Sequence, residues 1–72
     1  MSWELYEVWQ KDEDEQELLV DTTRSLKEAR KLAEKILLES LGTVIILRET
    51  DDIYEQVEKL TIGESGSIIK ES

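Results

Sequence analysis

WELYEVWQ, residues 3–10, sets the problem that the fold has to solve. Read as a strand, its side chains alternate between two faces. Trp3, Leu5 and Trp9 fall on one face, Tyr6 and Val8 on the other. Aromatic and β-branched residues of this kind favour strands. Small antiparallel sheets commonly keep one face wet, so apolar groups on both faces ask for two covers.

Outward from this stretch, KDEDEQ (11–16) is an acidic polar loop, and Glu17 to Thr22 is a second strand built on Leu18, Leu19 and Val20. The two strands make an antiparallel hairpin. Ser25 and Glu28 then form the Ser-x-x-Glu pattern of a capping box, which satisfies helix-end amides reciprocally. Leu26, Ala29, Ala33, Ile36, Leu37 and Ser40 follow at helical spacing as one stripe. Gly42 stands where a left-handed C-terminal cap is expected, since it has no Cβ to clash. The expected helix runs from Leu26 to Leu41. Ala29 and Ala33, mid-stripe, let it lie close to a sheet.

Strand three is Thr43 to Glu49. Its heart, Val44 to Leu47, is continuously apolar, and such a run suits burial on both faces. Residues 52–60 admit two readings. As a strand after an Asp51–Asp52 turn, they set Arg48 opposite Glu55 and Ile46 opposite Val57, pairs worth roughly 0.2–1 kcal/mol each. As a helix, Asp52 and Glu55 make another capping box, with Ile53, Val57 and Leu60 on one face. The strand is favoured because hairpins prefer two-residue turns, although Asp-Asp is a poorer turn pair than Asn-Gly. The end, residues 63–72, has no clear period and reads as a flexible tail. The expected architecture is α+β: a ββαββ domain over residues 1–62, with one helix on one face of a four-stranded antiparallel sheet. A one-residue slip in either hairpin exchanges its faces.

At 72 residues the chain is one domain. A domain of this size buries only about 60% of the surface its unfolded chain exposes. The chain has no cysteine and no histidine. Disulfides, a thiolate nucleophile, an imidazole base and ordinary zinc sites are thereby excluded. Among the usual staples of small domains, a partner subunit remains. The start carries Glu4 and Glu7 and no signal-like apolar run, and Val44 to Leu47 is too short to span a membrane. The expected setting is cytoplasmic and soluble. Net charge is −9, from eighteen acids and nine bases. Residues 22–48 hold six bases against three acids, whereas both flanking segments are acidic.

The acidic loop fails as an EF-hand started at Asp12. Glu17 replaces the required glycine at position six, and Thr23 the glutamate at position twelve. A solvated, self-repelling hairpin tip explains it better. No nucleophile–base constellation is visible, and no carboxylate pair stands out for glycosidase-type chemistry. The expectation is a non-enzyme without cofactor or metal.

Arg24, Lys27, Arg30, Lys31 and Lys35 form a candidate basic contact stripe that could meet phosphates. The acidic flanks oppose a polyanion, which makes nucleic acid an unlikely partner and favours a solvated helix face. Leu38 projects from the same face. The acidity raises a second alternative, a carboxylate surface that mimics nucleic acid and inhibits a protein that binds it. Solubility alone also explains acidity.

The tryptophans weigh more. Either they form the core under the helix, with Tyr6 and Val8 partly exposed, or their face meets a protein. Tryptophan and tyrosine are enriched at interface hot spots. One helix covers one face of a sheet, so apolar area is left over, and large exposed patches mark interaction sites. The candidate interface is Trp3, Leu5, Trp9, Leu19, Ile45, Leu47 and Tyr54. The simplest partner is a second copy, since most oligomers are two-fold dimers.

Overall fold

The structure, a computed structural model, describes residues 3–12, 14, 16–39, 42–63 and 66–71. In chain order the elements are β1 (Glu4–Lys11), β2 (Glu17–Thr23), α1 (Leu26–Glu39), β3 (Thr43–Thr50), β4 (Tyr54–Ile62) and β5 (Ile68–Glu71). The strands form one sheet in the order β2-β1-β3-β4-β5. Every neighbouring pair is antiparallel. The chain is thus a small α+β domain with one helix, arranged ββαβββ. The expected four-stranded ββαββ order is corrected by a fifth strand, drawn from the segment read as a tail.

That strand follows a tight connection. Gly63 N donates to Ser67 O at 2.8 Å and Gly66 N to Gly63 O at 3.0 Å. Gly66 holds a φ of 84°, a conformation that L side chains rarely adopt. Ile68 then pairs with Ile62, and Ile69 with Thr61. Ile68 packs against the core, while Ile69 points to the opposite face and stays exposed.

The helix starts as its capping pattern requires. Glu28 N donates to Ser25 Oγ at 3.1 Å, and Ala29 N to Ser25 O at 3.1 Å. Residues 40 and 41, expected to close the helix, lie outside the described residues. Ala29, Ala33 and Leu37 are buried, and opposite them lie Tyr6, Val8, Val44, Ile46 and Leu60. The two alanines bring the helix close, and branched chains fill the narrow gap where an indole would hold the helix off. The Tyr6 and Val8 face therefore takes the helix. The alternative core of Trp3 and Trp9 is ruled out by this packing.

Residues 54–62 are a strand, not a helix. The turn before it spans Asp51, Asp52 and Ile53 rather than two residues, with Thr50 N donating to Ile53 O at 2.8 Å. Arg48 does face Glu55, and the two form an ion pair. Ile46, however, faces Glu58. Val57 is an extra residue in a bulge and packs against the core. A matching bulge places Val20 outside the β1–β2 register. Both bulges fall in strands flanking the regular β1–β3 pair, where they add local twist.

Glu58 is 7% exposed beneath the helix. Arg30 reaches it from above, with Nε donating to Oε1 at 2.8 Å. The guanidinium holds the Glu58 carboxyl below its ordinary range, against the opposing effect of burial.

Candidate interaction face

Alternation from the buried residues places every odd-numbered residue of β1 and β3 on the face away from the helix. On β1 these are Leu5, Glu7, Trp9 and Lys11, preceded by Trp3. On β3 they are Thr43, Ile45, Leu47 and Glu49. The register carries the face outward. Trp9 pairs with Leu19 on β2 and with Ile45 on β3. Glu49 pairs with Tyr54 and Leu47 with Gln56 on β4. All seven candidate interface residues therefore share one face. Trp3 is 44%, Leu19 42% and Tyr54 57% exposed. Leu5, Trp9, Ile45 and Leu47 are half-buried.

Glu7 organises the aromatic groups. Its Oε1 accepts from Trp9 Nε1 at 3.0 Å and from the Tyr54 hydroxyl at 2.7 Å. These bonds hold the Glu7 carboxyl below its ordinary range and push Tyr54 up to about 12. Burial and the nearby Glu7 carboxylate raise Glu49. With their polar tips tied down, the indole and phenol have little rotamer freedom left to lose on docking. A groove of about 290 Å³ runs between them, lined by Trp9, Glu17, Ile45, Leu47, Tyr54 and Gln56. Sequence reasoning missed Glu7 in this role. Its position two residues before Trp9 placed both on one face, but Tyr54 reaches it across β3, which only the strand order reveals. Ile69, 48% exposed, was missed with its strand.

The basic candidates separate. Arg30 is engaged with Glu58. Arg24 lines a depression with Trp3, Glu4 and Leu5 at one end of the open face. Lys27, Lys31 and Lys35 remain exposed at successive helical turns. Leu38, 76% exposed, lies near the helix end.

In the acidic loop, Asp12 Oδ1 accepts from Asp14 N at 3.0 Å and from Gln16 N at 2.9 Å. The carboxylate is spent on shaping the turn. Among the described residues no group of three or more potential ligands is placed to hold a metal ion. No described helix is long and apolar enough to cross a membrane.

No known protein family, characterised protein or solved structure matches this chain.

Proposed function

We propose that this protein is a non-enzymatic interaction module that self-associates through the sheet face opposite its helix. One observation carries the reading. Two tryptophans, a tyrosine and four aliphatic side chains share that face, half-exposed, while the helix dries the other. Each Å² of apolar surface removed from water contributes roughly 25 cal/mol. A second copy offers the same surface, and a two-fold contact needs only one self-complementary patch.

Sedimentation from micromolar to millimolar protein tests the reading. Self-association is expected, and it strengthens with added salt. Salt screens the repulsion between two copies of net charge −9, since screening acts beyond about 8 Å at physiological ionic strength. Trp9→Lys on the open face is expected to cost at least about 2 kcal/mol of association, as hot-spot losses do, while the helical circular dichroism persists. A wild-type chain that stays monomeric up to millimolar concentration, at every salt level, refutes the reading.

A further inference from the structure

The groove on the open face combines aromatic walls with an acidic rim. Trp9 on β1 and Tyr54 on β4 stand on either side of β3, whose Ile45 and Leu47 form the floor between them. Both polar tips are tied to one oxygen, Glu7 Oε1, at 3.0 Å from the indole and 2.7 Å from the phenol. The two rings are thereby held in place along the groove. Charge around them is negative. Glu17, itself exposed, lines the groove, and the carboxylates of Glu7, Glu49 and Glu17 all act on the Tyr54 hydroxyl. The bases of this face lie elsewhere. Lys11 and Lys59 line the adjoining depression around Thr43, together with Asp12. Arg24 borders Leu5 at the opposite end.

We infer that this groove takes a lysine or arginine side chain from an extended, basic segment of another protein. The face of an aromatic ring attracts a cation, most strongly at tryptophan. The aliphatic stem of a basic side chain lies along apolar surface while its charged head stays near water. Ile45 and Leu47 offer that surface, and Glu17 offers the head an acceptor at the rim. An acidic side chain would meet three carboxylates in the same place. The net charge of −9 draws a basic segment toward the chain over a longer range. The inference goes beyond self-association and does not rest on it. The two events use one face, so a captured segment competes with a second copy. Salt affects them in opposite directions: by screening charge it weakens the capture of a cation and relieves the repulsion between two copies.

Titration with short peptides, followed by the NMR signal of the Trp9 indole N–H, tests the inference. The probe is a blocked pentapeptide with arginine flanked by glycines. Its control carries citrulline, the neutral isostere, in place of arginine. The arginine peptide is expected to shift the Trp9 signal in a saturable way, less strongly as salt is added, and the citrulline peptide is expected to leave it in place. Tyr54→Leu removes a ring and no charge, and is expected to weaken binding roughly threefold to thirtyfold, the range of a cation–aromatic contact. Tyr54→Phe keeps the ring and is expected to retain most of the affinity, while Glu17→Gln loses part of it. The amide spectrum of each variant checks its fold. Equal binding of the citrulline peptide overturns the inference, because no cation is then being read. Tyr54→Leu binding at wild-type strength also overturns it, because general acidity alone then attracts the peptide. A wild-type Trp9 signal that stays in place up to millimolar arginine peptide overturns it outright, and self-association measured by sedimentation stands or falls separately.

Discussion

Gly42 holds a φ of 139°, and a Cβ there would meet Lys11 O at 2.7 Å. The residue was expected for a helix cap. What requires it is the close approach of the end of β1 to the start of β3. Gly42→Ala therefore imposes both backbone strain and a clash with a main-chain oxygen. It is expected to destabilise the fold by more than about 1 kcal/mol, read as a lowered urea midpoint. Glu58 is governed by charge instead. Arg30 lowers its folded-state pKa from the ordinary 4.5. The pair's contribution is therefore fully present above that value and is lost as pH falls through the lower folded value. Glu58→Gln is expected to be less stable than wild type at pH 7, with the difference closing as pH drops below 4.5. A difference that persists unchanged at pH 3 would show that the carboxylate's charge is not what matters. Arg48–Glu55 was legible, because cross-strand partners follow from the hairpin. Arg30–Glu58 was not, because it depends on how the helix lies over a bulged strand.

Among the elements, the helix was the most legible, since its start signal and its stripe agree. Ser25 accepts the Glu28 amide, so Ser25→Ala leaves that amide without its cap. The expected loss is about 1 kcal/mol, with an unchanged denaturant slope because the surface exposed on unfolding stays the same. A loss below a few tenths of a kcal/mol would mean that tertiary packing holds the helix start without the cap. β1 and β3 were legible for a related reason: apolar side chains on both sides of each strand pointed to two faces. β5 was hidden. Four residues carry too little alternation to show a period, and the glycines that form its turn look like those of a loose end. The bulges at Val20 and Val57 were also invisible, because an extra residue shows only when two strands are set side by side. That same shift turned the expected Ile46–Val57 pair into Ile46 opposite Glu58.

For the whole molecule, the helix face and the open face contribute differently to stability. The helix face is a sealed core in which Leu60, Ile46, Val44 and Val8 are wholly buried. At roughly 0.05–0.15 kcal/mol per residue, a chain of 72 residues has about 4–11 kcal/mol of stability in total. Leu60→Ala, at about 2–5 kcal/mol, removes a large part of it at any protein concentration. On the proposed reading, the open face adds a further contribution that acts through mass action. A partner that binds the folded chain and not the unfolded one raises the melting temperature as its concentration rises. Wild type is thus expected to melt higher at millimolar than at micromolar protein. Trp9→Lys loses the bond to Glu7 and so should melt somewhat below wild type at the lowest concentration, and the gap should widen because the variant gains nothing as concentration rises. Leu60→Ala should melt lower throughout and keep the upward slope. Calorimetry of the three chains over a concentration series separates the two faces. If Trp9→Lys lowers the melting temperature equally at every concentration, the indole belongs to the monomer's own packing, and the open face is not what joins two copies.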